Sequence, residues 1–221
     1  ASVSGLTVTA LKSGTTKISA KQAPSGGFRS IIVTLNVTIL AVDPVVTASG
    51  FLDRTVEIIP GTPQQISLAA PVSNSPGTWT FTSSDPTIAS INGNSLSALK
   101  PGKVTVTAVQ GPALKFGSSK PFTISVFVKG RQSLVAPASV EKLAGDPDVA
   151  IAYPTSQSTG KWSATSSDPT IAAVNGNAIK LGNAGTAIIT LTQEATDSWI
   201  ASSTTFSVRV IGVTPTLGAF A

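Results

Sequence analysis

Polar and apolar residues alternate along several short runs of the chain. Residues 78–82 read Thr-Trp-Thr-Phe-Thr, and the same period of two recurs in residues 104–108 and 122–126. A period of two predicts strands that bury one face. Pairs such as Asn92-Gly93 separate these runs and favour tight turns, because both residue types tolerate a positive φ.

The pattern of residues 43–130 predicts a set of short strands separated by turns. The predicted strands are 45–51, 56–59, 64–69, 78–83, 87–91, 95–99, 103–109 and 121–128. About seven short strands with a turn every 8–12 residues or so are typical of a small β-sandwich. The sequence therefore predicts an all-β protein.

A long internal repeat accounts for most of the chain. Residues 83–94 read Ser-Ser-Asp-Pro-Thr-Ile-Ala-Ser-Ile-Asn-Gly-Asn and return, with two conservative changes, as residues 166–177. The offset of 83 residues (166 minus 83) also relates Trp79 to Trp162. Self-similarity at a fixed period is the signature of a tandem array.

A third, partial copy precedes these two. Residues 10–14 match residues 98–102, and Gln22 matches Gln110, both at an offset of 88. On its own, half a sandwich leaves an apolar face and open strand edges exposed. The predicted segments are the second half of a repeat over 1–42, complete repeats over 43–130 and 131–213, and the start of a further repeat over 214–221.

The order of these motifs resembles that of the bacterial immunoglobulin-like repeat. The tryptophan at position 79, the Ser-Ser segment at 83–89, the Asn-Gly turn and the strand at 101–108 carry the resemblance, which covers essentially the whole chain. It implies tandem immunoglobulin-like β-sandwiches, two complete and one partial. Family members include adhesins of the invasin and intimin type, surface stalks, parts of carbohydrate-active enzymes and phage structural proteins, so the resemblance identifies a fold better than a function.

Composition removes most catalytic chemistry. The 221 residues include no Cys and no His, and only 11% are charged. Thiol nucleophiles and disulfides are excluded, and the commonest general base is missing. Glu57, Glu141, Glu194 and Asp197 do not recur at matching positions across the copies. A glycosidase needs two carboxylates held in a cleft at a defined separation, and a small sandwich with a filled interior provides no such cleft. We predict no enzyme, no catalytic residue and no organic cofactor.

The 15 basic and 10 acidic residues give a net charge of +5, and the basic residues are scattered singly rather than clustered with aromatic residues. A nucleic-acid partner is therefore not predicted. No apolar run approaches the roughly 20 residues of a membrane helix, so membrane insertion is not predicted either.

Aromatic residues at repeated positions are the candidate contact residues. Trp79 and Trp162 are interpreted as core residues between two sheets, with an exposed sugar-stacking surface as the alternative. Phe28, Phe116 and Trp199 precede the last strand of each copy and are interpreted as loop anchors. Phe116 and above all Trp199 are the candidates for ligand contact.

Calcium is the one metal that the residue types suit, since the chain offers only hard oxygen ligands. The candidate ligands are Asp146 and Asp148, in the sequence Asp-Pro-Asp, and Asp43. Aspartate before proline commonly caps a turn with its own side chain, and this is the preferred interpretation.

We predict a non-catalytic structural or adhesive module, a stalk or fibre segment of a larger extracellular protein at a cell surface. Its expected partners are the neighbouring repeats of the same chain. Two alternatives are other copies in a fibre or virion, and a glycan or receptor on a cell surface. A phage or virus structural protein at the virion surface is the second hypothesis, and a carbohydrate-binding module of a secreted enzyme is the third.

Overall fold

The computed structural model describes residues 1–214, which form strands joined by turns and loops. The predicted start of a further repeat over 214–221 lies, apart from Thr214, outside these residues. In the described part of the chain, no helix has the length and apolar content needed to cross a membrane. The all-β prediction is confirmed.

The strands follow the predicted alternation closely. In chain order they are β1 (Ser2–Ser4), β2 (Thr7–Thr9), β3 (Gly14–Gln22), β4 (Ile31–Ile39), β5 (Val46–Thr47), β6 (Arg54–Ile58), β7 (Gln64–Ser67), β8 (Val72–Ser73), β9 (Trp79–Ser83), β10 (Ala89–Asn92), β11 (Ser95–Ala98), β12 (Gly102–Gln110), β13 (Phe122–Gly130), β14 (Val140–Leu143), β15 (Val149–Ala150), β16 (Trp162–Ser166), β17 (Ala172–Asn175), β18 (Ala178–Leu181), β19 (Gly185–Gln193) and β20 (Ser202–Ile211). The strand predicted over 45–51 is reduced to the two residues of β5, and β8 was not predicted.

One compact unit contains residues 1–54, 65–98 and 104–126. Within it, β1 pairs with β2, β3 with β4 and β5 with β8, each time antiparallel. The strands β10, β11 and β7 form a three-stranded sheet, and β9 pairs antiparallel with β12.

The hairpin of β3 and β4 carries many apolar side chains that remain exposed. None of residues 1–42 is fully buried, and Leu35 exposes 63% of its surface. In β12, by contrast, the inward residues Val104, Val106 and Ala108 are buried. The hairpin therefore has the strand pattern of the later copies without the sheet that covers their apolar face.

The second compact unit contains residues 55–64, 99–103 and 127–221. Its described part holds a four-stranded sheet in the order β14-β20-β19-β16 and a three-stranded sheet in the order β15-β18-β17. Apolar residues from both sheets form one buried cluster: Ile151, Ala172, Ile179, Ala187, Ile189, Leu191, Phe206, Val208 and Val210. This is the two-layer immunoglobulin-like sandwich that the repeat implied.

Candidate functional site at the repeat junctions

The same tight turn carries the loop aromatic in all three copies, at residues 25–28, 113–116 and 196–199. In the first two turns, the backbone N–H of the aromatic residue donates to the carbonyl of the residue three positions earlier, at 3.0 and 2.9 Å. In the third, the N–H of Trp199 donates to Oγ1 of Thr196 at 3.1 Å. In the second and third copies, the backbone at the aromatic end of the turn contacts the chain that enters from the preceding repeat.

In the first unit, Val42 makes a parallel bridge with Phe116. The Val42 N–H donates to the carbonyl of Lys115 at 2.8 Å, and the Gly117 N–H donates to the carbonyl of Val42 at 2.9 Å. Phe116 itself is only 9% exposed. Both polar groups of the Val42 backbone are therefore satisfied by the aromatic turn of the next copy.

In the second unit, Gly130 makes the corresponding parallel bridge with Trp199. The Gly130 N–H donates to the carbonyl of Ser198 at 2.9 Å, and the Ile200 N–H donates to the carbonyl of Gly130 at 3.1 Å. A Cβ atom at position 130 would lie 2.5 Å from Cζ3 of Trp199 and 2.7 Å from Cγ of Pro101. Position 130 requires glycine because the indole ring occupies the place of its side chain.

A side-chain network extends this second junction. Nε2 of Gln132 donates to Oε1 of Gln193 at 3.0 Å, and the N–H of Gln157 donates to Oε1 of Gln132 at 2.7 Å. The hydroxyl of Ser156 lies 2.6 Å from Oε1 of Gln193 and 2.9 Å from Oε1 of Gln132. The linker is thus held by directional bonds rather than by chain connectivity alone.

The buried glutamine of each complete copy holds the segment before the tryptophan strand. Nε2 of Gln193 donates to the carbonyls of Ser158 and Gly160, both at 3.0 Å, and this side chain is 2% exposed. Buried polar groups are retained at little cost only when they are paired in this way.

Gln110, also 2% exposed, repeats this arrangement with the carbonyls of Ser75 and Gly77, at 2.8 and 2.7 Å. Within residues 1–214, no donor lies within hydrogen-bonding distance of its Oε1. The two copies therefore share the hydrogen bonds that Nε2 of the glutamine donates and differ in those that its Oε1 accepts.

The sequence pointed to Phe116 and Trp199, but it did not reveal the roles of Val42, Gly130 and the two buried glutamines. The recurrence of Gln110 as Gln193 was a usable signal, as was a glycine two residues before both Trp79 and Trp162. Val42 and Gly130 carry no such signal, because their role depends on the backbone of a loop far along the chain.

Burial of the two tryptophans was overestimated. Trp79 and Trp162 occupy equivalent register positions, opposite Gln110 and Gln193, but each is only half-buried. Trp162 packs at the margin of the buried cluster with its ring 5.3 Å from that of Tyr153. The reason is that each tryptophan is the first residue of its strand, at the end of the core.

The three loop aromatics differ in exposure. Phe116 is buried, Trp199 is half-buried, and Phe28 is 79% exposed. Trp199 also lines a shallow groove of about 310 Å³ with Asp197 and Thr159 among its polar neighbours. Ligand contact by Phe116 or Trp199 stays a prediction.

The aspartates considered for calcium lie in exposed or half-buried loops. Oδ2 of Asp146 accepts a hydrogen bond from the N–H of Leu143 at 3.0 Å, while Asp148 and Asp43 are exposed. Within the described residues, no group of three or more acidic side chains could hold a metal ion. Calcium binding stays a prediction without geometric support.

The repeated Ser-Ser-Asp-Pro-Thr segment folds into a capped turn. Oδ1 of Asp168 accepts hydrogen bonds from Oγ1 of Thr170 at 2.6 Å and from its N–H at 2.9 Å. These bonds, the side-chain one above all, lower the pKa of Asp168 below its usual 3.8. Asp85 accepts the same two bonds from Thr87, at 2.7 and 2.9 Å.

Two of the glutamates form ion pairs at the surface. Glu57 pairs with Arg131 at 2.8 Å and Glu141 with Arg209 at 3.3 Å, with more than half of each side chain exposed. Exposed pairs of this kind stabilise a fold by about 0–1 kcal/mol.

No family model matches this chain, and no curated protein matches it. Among solved structures, it is similar to the extracellular cadherin domains 3–6 of Protocadherin Gamma B2, with a TM-score of 0.34 and 15% identity over 85% of this chain and 56% of that one. It is also similar to Drosophila N-cadherin EC1-4, with a TM-score of 0.37 and 14% identity over 93% and 59% of the two chains. An endo-fucoidan hydrolase of glycoside hydrolase family 107 matches with a TM-score of 0.31 and 11% identity over 92% and 35%.

The chain thus spans little more than half the length of the two cadherin structures. At identities of 11–15%, we transfer no activity, ligand or partner from any of these proteins. The resemblance to the bacterial immunoglobulin-like repeat stays a prediction.

Proposed function

We propose that this chain is a non-catalytic spacer, a segment of an extracellular stalk or fibre in which successive immunoglobulin-like repeats are joined by stiffened junctions. Its function under this proposal is to set the distance between what lies before it and what lies after it.

The observation that carries the proposal is the recurrence of one junction design. Val42 and Gly130 each exchange two backbone hydrogen bonds with the turn that holds Phe116 or Trp199. A linker free to bend would leave its backbone groups to water, as flexible linkers do. Here the linker backbone is hydrogen-bonded where it enters the next repeat. This supports a segment in which the orientation of one repeat restricts that of the next.

The setting at a bacterial surface or on a virion is part of the proposal, and a spacer of this kind suits both. The lack of His and Cys and the pairing of Glu57 and Glu141 with arginines agree with a role that needs no reactive side chain. The carbohydrate-binding alternative gains no support from Trp162, whose ring packs against Tyr153 at the core margin.

The test is to loosen one junction and measure how residues 43–130 and 131–213 tumble by ¹⁵N relaxation. Gly130→Ala is the disrupting change, because the added Cβ would meet the Trp199 ring at 2.5 Å. Gly212→Ala is the matched control, since its nearest contact is 3.4 Å away. We expect one shared correlation time in the wild type and in the control, and two separate times in Gly130→Ala. Separate times in the wild type would contradict the proposal.

A further inference from the structure

The junction at Val42 and the junction at Gly130 share a backbone bridge but differ in the contact beside it. The motif Ala-Leu-Lys-x-Gly occurs once in each of the two preceding repeats, and its one variable position is Ser13 in the first and Pro101 in the second. Serine has a backbone N–H, whereas proline has none. The same place in the repeat therefore offers a hydrogen-bond donor at one junction and a rigid apolar ring at the other.

At the Val42 junction, the donor is used. The N–H of Ser13 donates to the carbonyl of Leu114 at 3.1 Å, beside the bond that Val42 donates to the carbonyl of Lys115. Leu114 has a φ of 51°, a backbone conformation that is unfavourable for leucine. Its side chain is 62% exposed, so burial does not offset this strain. The two bonds from the preceding repeat therefore stabilise the turn in its strained form.

At the Gly130 junction, the contact is apolar. A Cβ atom at position 130 would lie 2.7 Å from Cγ of Pro101 and 2.5 Å from Cζ3 of Trp199. The proline ring and the indole ring therefore both pack against the Cα of Gly130. Asp197, the counterpart of Leu114 at the offset of 83 (197 minus 114), does not have a positive φ. The turn at this junction is thus free of the strain that the other turn carries.

Exchanging the two sets of residues produces mismatches. Val42 stands at the first junction where Gly130 stands at the second, and a valine at position 130 would place its Cβ atom 2.5 Å from the Trp199 ring. A proline at position 13 would leave the carbonyl of Leu114 without its donor. Each repeat end thus fits one turn and disfavours the other, and specificity arises from such clashes as well as from attractive contacts.

We propose that the end of each repeat is a specific docking surface for the turn of its own successor, so that the repeats are not interchangeable along the chain. The surface of Ser13 and Val42 fits a turn with a strained residue and a phenylalanine. The surface of Pro101 and Gly130 fits a turn with a tryptophan. This inference does not rest on the spacer function, because it concerns which ends match and not how stiffly the repeats are joined.

The first test removes the donor at residue 13 in the 221-residue chain and measures amide hydrogen exchange by NMR. Ser13→Pro deletes the N–H, and Pro101 shows that the same motif accepts proline at this place. The amides of Val42 and Gly117 bond across the junction, and both are expected to exchange about fivefold faster, the factor for one lost hydrogen bond. Ser13→Ala keeps the N–H and is the matched control, with exchange unchanged.

The second test exchanges both partners at the Gly130 junction. Gly130→Val introduces the residue type of the other junction against the unchanged indole. The Ile200 amide, which donates to the carbonyl of residue 130, is then expected to exchange about tenfold faster. Trp199→Phe in the same chain supplies the matching aromatic residue. We expect the double variant to regain most of this protection, so that the effects of the two changes are not additive.

Two results would overturn the proposal. One is an equal effect of Ser13→Pro and Ser13→Ala on the Val42 amide. The other is a double variant whose loss of protection, as a logarithm of the exchange rate, equals the sum of the losses in Gly130→Val and Trp199→Phe. Amide exchange within β3 and β4 shows whether Ser13→Pro keeps the hairpin, and if the hairpin is lost, the second test decides alone.

Discussion

Replacing the buried glutamine in each complete copy by methionine compares two sites that share the hydrogen bonds from Nε2 but differ in the hydrogen bonds at Oε1. Gln193 makes four hydrogen bonds, two from Nε2 and two at Oε1, through Gln132 and Ser156. At about 1 kcal/mol for each bond, Gln193→Met lowers the local stability by about 4 kcal/mol. Among residues 1–214, the side chain of Gln110 makes only the two bonds from Nε2.

Gln110→Met has an offsetting gain. It loses two bonds, worth about 2 kcal/mol, but it also removes a buried acceptor whose missing partner costs about 1–3 kcal/mol. The net loss at this site is therefore about 1 kcal/mol or less. Methionine suits the comparison because it is unbranched, like glutamine, and adapts to irregular spaces.

Native-state hydrogen exchange measures both effects in one chain, with the amides of β19 and β12 as reporters. A control removes the linker partner, since Gln132→Ala takes one donor from Oε1 of Gln193. In the Gln132→Ala background, Gln193→Met is expected to lower the local stability by less than it does in the wild type. The double-mutant cycle then gives the interaction free energy between Gln132 and Gln193. Equal losses at Gln193 and Gln110 in the wild-type background would refute the account of the two sites.

Three further substitutions and one ligand test follow from the last copy. Gly160→Ala places a Cβ atom 2.0 Å from the carbonyl oxygen of Glu194, and we expect it to cost about 3 kcal/mol in chemical denaturation. Trp162→Ala is expected to cost about 2–3 kcal/mol in the same assay, at or below the low end of the range for a fully buried aromatic, because the indole is half-buried. The bonds from Thr170 lower the pKa of Asp168 below 3.8, so their stabilisation of the turn is present above pH 3.8 and is lost as the pH falls through the lowered pKa. The NMR chemical shift of the Thr170 amide is expected to follow this titration, and Asp168→Asn is expected to make that chemical shift independent of pH. Millimolar calcium against chelator is expected to leave the melting temperature unchanged.

The strands were predictable because their signal is local. A period of two marks each strand, and the Asn-Gly and Asp-Pro pairs mark the turns between them. β12 and β13 differ from their predicted bounds by only one or two residues. The two-residue strands are the exception: β5 was predicted too long, over 45–51, and β8 was missed, since so short a pairing leaves no period to detect.

The depth of burial was not predictable in the same way. The alternation of polar and apolar residues shows which face of β16 turns inward. It does not show how much of the length of β16 the opposite sheet covers. Trp162 begins that strand and so lies at the margin of the core rather than between the sheets. A tryptophan in the middle of the strand would have followed the prediction.

The candidate site needed the tertiary structure. Gly130 looked like a plain linker residue, and its importance comes from the Trp199 ring, 69 positions later (199 minus 130), which leaves no room for a side chain. The glutamines recurred visibly, but a recurrence does not say what a side chain binds. Their partners are backbone carbonyls, which carry no sequence signal.

The parallel pairing of β14 and β20 sets how the last repeat carries mechanical load. Val140 lies opposite Val208 and Leu143 opposite Ile211, so the chain enters at one end of this ladder and leaves at the other. Tension applied between the two ends of this repeat therefore pulls the two strands past each other, and all their hydrogen bonds must fail together in shear. An antiparallel pair would be peeled apart one bond at a time. Under stretching, this repeat is expected to rupture in a single abrupt step, governed by its unfolding rate rather than by its equilibrium stability.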